Sequence, residues 1–395
     1  MTLEAEAFRL PLASWVPLMV SIYAAQLALT AICVRPARRG LISSGLALLV
    51  ADLFILALVR WCADAMGRMD YSASFLQWRL YFLTLVIVSA GLPVGVWSLA
   101  LKLTYRPPAR SPAQTPLLHP IFQAVVTSWL AAGAIILLAG GDFSFMPRPA
   151  GVTTVEVEIP GLAPELDGLR IAALSDHHVG PLMTPRRAAR RLASLSRAAP
   201  DLIVELGDVT DMDPSYQPEA TAVIGEHRAP LGSFAVAGNF DVRCGTDALR
   251  ERFAGVGVTY LENEAARVSV DGAELWIVGV GDPWTGQDDL EAALADVPAG
   301  EPVVLLAHSP DIVEQAAERN LPLMLSGHLH GGQVVIPFAG PVVGMSKFGT
   351  RFAWGHFQVG PTHLVVSRGL GEEAVPARLF CRPEIVLVIL RLAPG

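Results

Sequence analysis

The run Ser326-Gly327-His328-Leu329-His330-Gly331-Gly332 offers two imidazoles one residue apart, flanked by glycines that let the backbone come close to a ligand. It follows a short apolar stretch, 321–325, so a strand ending in a tight turn would aim both rings at one pocket. Three more strand-like runs end in polar clusters of the same character: LSDHHVG (174–180), ELGDVTD (205–211) and LLAHSPD (305–311). The candidate ligands are Asp176, His178, Asp208, Asn239, His308, His328 and His330: two carboxylates, one amide oxygen and four imidazoles. Three imidazoles would serve a lone zinc ion, but seven groups exceed one open site. They suit two divalent ions with one carboxylate shared, and mixed nitrogen and oxygen donors favour Mn, Fe or Zn over Ca or Mg. Two such ions roughly 3.5–4 Å apart can clamp a phosphoryl group and acidify a water between them, which is the chemistry of phosphoester hydrolysis.

These motifs, in this order, resemble the calcineurin-like metallophosphoesterase superfamily, whose pattern runs D-x-H, G-D-x-x-D, G-N-H-D/E, an isolated His, and G-H-x-H. The resemblance covers about residues 152–392, and GHLHGGQ with the tail SRGLGEEAVPARLFCRPEI is similar to a bacterial membrane-associated branch. It implies an α/β four-layer sandwich, two mixed β-sheets face to face with helices outside. It also implies that Asp176, His178 and His330 take one metal, that Asn239, His308 and His328 take the other, and that Asp208 bridges. Asp208, Asn239 and Asp241 are then the residues expected to carry catalysis, with Asp211 and Asp241 holding ligands in orientation. Members of that branch face the cell envelope, so a lipid or envelope phosphodiester is the expected substrate, with a nucleotide or phosphomonoester equally allowed.

One position departs from the pattern. Where the family has G-N-H-D, this chain has Gly238-Asn239-Phe240-Asp241. The missing imidazole is the one expected to stabilise the phosphoryl oxygen or protonate the leaving group. Phe240 replaces no metal ligand, so binding should survive while substrates with poor leaving groups suffer. A catalytically weakened metal-binding membrane sensor is the alternative this raises. His177 is a candidate replacement proton donor, although a residue between two ligands on a turn usually points away.

The elements that must position these groups are read from the rhythm of apolar residues. TTVEVEIP alternates as a half-buried strand, LRIAALSD is a buried strand, and Thr184-Pro185 opens a helix to about residue 198. DLIVELGD, GSFAVAGNFD, ELWIVGVGD, EPVVLLAHS and LPLMLSGHLH continue the series, with helices near 247–253 and 311–319. HFQVG, THLVVSRG and PEIVLVILRL close it. Strand, polar cluster, helix, strand is the rhythm of an α/β domain whose site lies at the carboxyl ends of central strands.

Ahead of that domain (146–395) the sequence is apolar. The whole chain has 395 residues with 17% charged, and a mean hydropathy of +0.45, an excess concentrated in 1–145. Four stretches, 12–34, 41–59, 81–103 and 121–140, approach the roughly 20 residues a membrane-spanning helix needs, so an N-terminal bundle of about four transmembrane helices is expected. Arg35, Arg38 and Arg39 form the densest basic loop and favour an outward N-terminus, giving a multi-pass protein of the cell membrane with its catalytic domain extracytoplasmic. The expected partners are a lipid bilayer and a phosphoester substrate. A net charge of −8 excludes a general nucleic-acid-binding field. The four cysteines show no short paired spacing and read as packing residues. Asp282 and Trp284 either line a substrate pocket or form an ordinary turn. Arg186, Arg187, Arg190, Arg191 and Arg197 read as a solvated helix face, with anionic-headgroup contact as the other reading. His119, His227, His356 and His363 belong to no motif and are expected on the surface or in loops.

Overall fold

The computed structural model describes residues 141–143, 148–336, 340–341, 344–373 and 377–393. After β1 (Gly141–Phe143), the first half of the domain runs β2 (Gly151–Ile159), β3 (Arg170–Leu174), α1 (Pro185–Leu192), α2 (Leu195–Ala198) and β4 (Leu202–Glu205). It continues through α3 (Gln217–Gly225), β5 (Ser233–Ala235), α4 (Asn239–Cys244), α5 (Thr246–Gly255) and β6 (Thr259–Tyr260). The second half holds β7 (Glu264–Val270), β8 (Ala273–Gly279), α6 (Leu290–Ala293), β9 (Val303–Leu306), α7 (Val313–Glu318) and β10 (Leu323–Ser326). Short β11 (Val335–Ile336) and β12 (Gly340–Pro341) precede β13 (Gly355–Val359), β14 (Thr362–Val366), β15 (Ala377–Leu379) and β16 (Glu384–Leu392).

Two six-stranded sheets result, ordered β2-β16-β3-β4-β5-β6 and β13-β14-β10-β9-β8-β7. Both are mixed. In the first, β16 runs antiparallel to β3 while the other pairs are parallel. In the second, β14, β10, β9 and β8 are mutually parallel and the edges β13 and β7 are antiparallel. β4, β9 and β10 are buried along their whole length, which is why their sequences are continuous apolar runs rather than alternating ones.

Three apolar layers follow from that burial. Val157, Ile171, Val204, Val388, Ile277, Val304 and Leu325 pack between the sheets. On the outer face of the first sheet, Ala172, Leu174 and Ile203 meet Leu192, Ile224 and Phe253 of the helices. On the outer face of the second, Val278, Leu305 and Met324 meet Val313 and Ala316. Two sheets between two helical layers make the four-layer sandwich.

One expectation is corrected. A bundle of four transmembrane helices has no counterpart among the described residues, where no helix is long and apolar enough to cross a membrane. The ten-residue α5 is the longest helix given above, about half of what a span requires. The stretches 12–34, 41–59, 81–103 and 121–140 lie outside the described residues. The described residues therefore form the α/β sandwich alone. The helix expected to reach residue 198 also divides: α1 stops at Leu192 and α2 begins at Leu195, where Arg191 O accepts from Ala150 N–H at 3.0 Å and the Ser194 hydroxyl donates to Ala150 O at 2.6 Å.

Two glycines let the site loops meet. Gly207, at φ +99°, has the backbone of Ala237 and Gly238 where a Cβ would be, and Gly327 has Ser175 in that place. Gly207→Ala is expected to cost at least ~2 kcal/mol, from overpacking against backbone that cannot move aside and from a positive φ. A urea-unfolding series on the full chain measures it.

Candidate metal centre

Each central parallel strand ends in a loop that delivers a candidate ligand. Beyond β3 come Asp176 and His178, beyond β4 Asp208, and at the start of α4, just after β5, Asn239. From the second sheet, β9 leads to His308 and β10 to His328 and His330. Five of these residues stand in the left-handed region: Asp176 at φ 55°, His178 at 48°, Asp208 at 55°, His328 at 72° and His330 at 50°. A non-glycine residue there costs about 1–2 kcal/mol, so the surroundings must hold it. Asp176 N–H donates to Gly207 O at 2.9 Å, His178 N–H to Asp208 O at 3.0 Å, and Gly327 N–H to His308 O at 2.9 Å. His328 N–H donates to the Asp176 carboxylate at 3.1 Å, joining the two sheets at the site. The strain turns side chains inward that an extended strand end would splay apart.

The ligand atoms gather in two buried groups, Asp176 with His178 and His330, and Asp208 with His308 and His328, the atoms of each lying within 4.8 Å of one another. In the first, His178 Nε2 is 3.0 Å from His330 Nε2, and His330 Nε2 is 3.5 Å from Asp176 Oδ1. In the second, His308 Nε2 is 3.2 Å from Asp208 Oδ2. The same Oδ2 is 3.6 Å from His178 Nε2, so the two groups adjoin at one carboxylate oxygen. Asp208 Oδ1 is already engaged, accepting from Phe240 N–H at 2.9 Å.

The donor chemistry fits cations. His308 Nδ1 donates to Leu206 O at 2.7 Å, which leaves Nε2 as a lone pair facing a carboxylate unless a proton or a cation stands between them. His328 Nε2 donates to Met345 O at 2.8 Å, and its Nδ1 is buried without a hydrogen-bond partner. Asn239 Oδ1 is likewise buried and unsatisfied. Orphaned acceptors of this kind are costly in a folded interior, and a bound cation removes the cost.

Charge in the protein alone follows the same geometry. Burial raises Asp176 to about 6. Burial also acts to raise Asp208, but His308 and His178 outweigh it and bring it to about 2. Burial and the neighbouring His308 push His328 down to about 3. His308 is held well above the usual histidine value because Asp208, Asp176 and Asp282 outweigh its own desolvation.

Asp241 sits behind the ligands. Its carboxylate accepts from Val209 N–H and Gly238 N–H, each at 3.0 Å, and so fixes the loops carrying Asp208 and Asn239. His177 is turned to Glu205, 2.7 Å away and equally buried, and is spent in that pair. Phe240 is 4% exposed, and its ring stands edge-on to His178 with centroids 4.7 Å apart. Asp282 forms a turn, accepting from Thr285 N–H at 2.8 Å, and that turn sets the Trp284 ring 5.1 Å from the His328 ring. The turn reading of that segment has its counterpart in the structure. The solvated arginine face needs one correction: Arg191 is fully buried and paired with Glu372 at 2.7 Å.

Two residues at the site carry no motif. Arg378 is fully buried and donates to Gly371 O at 2.8 Å and to His330 O at 3.1 Å. Glu373 brings Oε2 to 3.8 Å from His330 Nε2 with its side chain still 21% exposed, and burial near Asp208 and Asp176 pushes its carboxyl up to about 8. The tail SRGLGEEAVPARLFCRPEI contains both, yet neither spacing nor periodicity distinguishes them from surface charges.

No family model matches the chain. It is 32% identical over 270 residues to a Bacillus subtilis protein called uncharacterized metallophosphoesterase YkuE, covering 66% of this chain and 93% of that one. It is 31% identical over 281 residues to phosphodiesterase YaeI of Escherichia coli, covering 66% of this chain and 97% of that one. A Bos taurus transmembrane protein with metallophosphoesterase domain is 33% identical over 296 residues, 70% of this chain, and the chain spans 63% of its length. With two adjoining groups of buried aspartate and histidine at the strand ends and relatives of this kind along two thirds of its length, the chain belongs to the calcineurin-like metallophosphoesterases and is a metal-dependent phosphoester hydrolase.

Proposed function

We propose that this protein hydrolyses a phosphodiester or phosphomonoester with two divalent metals, Mn, Fe or Zn, at the centre described above, and that the substrate is a lipid or another cell-envelope phosphoester. The observation that carries the reading is the single oxygen Asp208 Oδ2, which faces both His308 and His178. In this reading Asp176, His178 and His330 hold one ion, Asn239, His308 and His328 the other, and Asp208 is shared. When bound, such a pair polarises a phosphoryl group and makes water acidic near neutral pH. The protein's own part is to hold the ligands against strain, to keep Asp208 and Asn239 in place through Asp241, and to wall the site with Phe240 and Trp284. The tail arginine Arg378 supports His330 through its carbonyl.

A place at the lipid bilayer draws support from the cattle relative, which is called a transmembrane protein, and a phosphodiester from the Escherichia coli relative, which is called a phosphodiesterase. The envelope substrate and a domain outside the cytoplasm rest on the sequence reading. A sensor without turnover is the second reading, favoured by one observation, the buried Phe240 where the superfamily pattern has histidine.

Purified full-length protein with Mn(II) is expected to hydrolyse bis-nitrophenyl phosphate, and His308→Ala to abolish it. Metal retention without hydrolysis would select the sensor. Envelope lipid extracts assayed beside a nucleotide panel then decide the substrate class, and a reporter fused at the C-terminus decides the side of the membrane.

A further inference from the structure

The end of the first sheet that holds the metal centre also carries a cationic and apolar rim that the ligand set does not use. β3 delivers Asp176 and His178 at its carboxyl end; β16 runs antiparallel to it, and β2 runs parallel to β16. The starts of β2 and β16 therefore lie at the same sheet end as those ligands. Just before these starts Arg148 and Arg382 are exposed, and Gly151 N–H donates to Pro383 O at 3.1 Å, joining the two approaches. Helix α1, which follows the loop carrying His178, adds Arg186 and Arg190, one turn apart on an exposed face. The helix is tied to the same place, since Arg191 O accepts from Ala150 N–H at 3.0 Å and the Arg191 guanidinium donates to Arg148 O at 3.3 Å. Residues 177–200 hold five arginines and no carboxylate, in a chain of net charge −8. Carboxylates on the adjoining segments are engaged elsewhere. Glu372 pairs with Arg191 at 2.7 Å, Glu384 is buried against Thr153 and Arg368, and Glu156 pairs with Arg391 farther along β2.

Two large apolar side chains stand among these arginines, Phe380 at 40% and Val152 at 39% exposure. Val157 and Ile159 of β2 face the space between the sheets, so Val152, by alternation, faces outward on the α1 side. Phe380 follows β15, which pairs with β1. Leu392, 42% exposed, closes β16 at the opposite end of the sheet.

We propose that this rim, Arg148, Arg186, Arg190 and Arg382 around Phe380 and Val152, docks on an anionic lipid surface and sets the metal centre against phosphoester headgroups. This role rests on the place at a bilayer proposed above, and it narrows the substrate there to a lipid headgroup ester. Exposed arginines are drawn to the negative surface of an anionic leaflet, and a basic face that also inserts apolar side chains gains from their burial at the headgroup boundary. A single-stranded nucleic acid meets the same charge, but one aromatic ring gives no series of faces on which successive bases could stack. Connectivity favours the lipid surface too. The stretch 121–140 holds no charged residue, and the chain passes from it into β1, beside the strand that leads to Phe380. The rim also reaches the centre through consecutive residues: Glu372 pairs with Arg191, and Glu373, still 21% exposed, faces His330. A domain docked by this rim therefore turns the open side of the centre toward the headgroups.

The test uses full-length protein with a photo-crosslinking benzoylphenylalanine in place of Phe380 or, as the control, of Leu392. Each is mixed with phosphatidylcholine vesicles that contain or lack phosphatidylglycerol. Sedimentation reads binding, and crosslinks to lipid read which end of the sheet is in contact. The probe at 380 is expected to capture lipid about tenfold more with phosphatidylglycerol than without, and about tenfold more than the probe at 392. Arg186→Glu combined with Arg190→Glu, and separately Arg382→Glu, are each expected to cut that capture about tenfold, as is raised salt. Hydrolysis of bis-nitrophenyl phosphate by these variants is expected to be unchanged. The two reversals lie on different elements, so one stays informative if the other disturbs folding. Three results would overturn the docking face and leave the bilayer placement: vesicle-bound protein with equal capture at 380 and 392 or with either lipid, capture of a second copy of the chain in place of lipid, or reversal variants that match wild type. Protein that sediments with neither vesicle would sink the bilayer placement and this role together. Lipid capture at 380 by a chain without hydrolysis would sink the phosphoesterase reading and leave the docking face standing.

Discussion

Asp208→Ala is expected to lower hydrolysis of a nitrophenyl phosphodiester by on the order of 10³-fold, and to leave purified protein with at most one of the two metals proposed for the centre. The magnitude follows from what the carboxylate touches. Its Oδ2 lies 3.2 Å from His308 Nε2 and 3.6 Å from His178 Nε2, so truncation removes the one oxygen both groups face. His308 also loses the carboxylate that does most to hold its charge. Loss of a metal that would polarise the phosphoryl group removes several kcal/mol of charge stabilisation, and about 1.4 kcal/mol is tenfold in rate, which gives the order of 10³-fold. The fold should persist, because Leu206 and Val209 on either side remain buried in the core. Asp208→Asn separates charge from shape, since its side-chain oxygen can still accept from Phe240 N–H while the shared negative charge is gone. Metal content by elemental analysis and turnover are measured on the same samples. Two retained metals with near-normal turnover in Asp208→Ala would remove the shared-oxygen model.

Much of this centre was legible because it is built from residue types with few other reasons to be there. Asp176, His178, His308, His328 and His330 follow apolar runs that could only be buried strands, and those runs became β3, β9 and β10 with the groups at their carboxyl ends. Asn239 and Asp241 were legible only beside Gly238, as part of a motif. The positive φ of five ligands was not legible, because a left-handed aspartate or histidine carries no mark in sequence; it is imposed by hydrogen bonds between loops far apart in the chain. Leu206 and Met345 act through their carbonyls, and a carbonyl is present at every residue. Arg191 reads as one arginine in a basic helix until Glu372, 181 positions away, is seen beside it. The N-terminal apolar stretches satisfy the length rule for membrane spans, but they lie outside the described residues, among which no helix is long and apolar enough to cross a membrane.

The second large effect is a gain. Phe240→His is expected to raise turnover of an alkyl phosphodiester by about 10²-fold, the lower end of what general-acid help contributes, while a nitrophenyl ester changes by less than ~3-fold because its leaving group departs without a proton. The backbone at this position is already spoken for, since Phe240 N–H donates to Asp208 Oδ1 at 2.9 Å whatever the side chain. The substitution therefore changes the wall of the site and not its frame. The ring is apolar but its neighbours are not: it stands 4.7 Å from the ring of His178 and has the Arg243 guanidinium carbon 5.8 Å from its centre. A smaller imidazole fits the volume and presents an N–H donor in place of a ring edge. Burying that polar ring costs roughly 1–3 kcal/mol of stability if it finds no partner, so a denaturation curve accompanies the kinetics. Phe240→Leu supplies the control: it alters packing without a proton and should leave the alkyl ester as slow as in wild type. If Phe240→His speeds both esters alike, or Phe240→Leu matches it on the alkyl ester, the barrier at this site is not a missing proton.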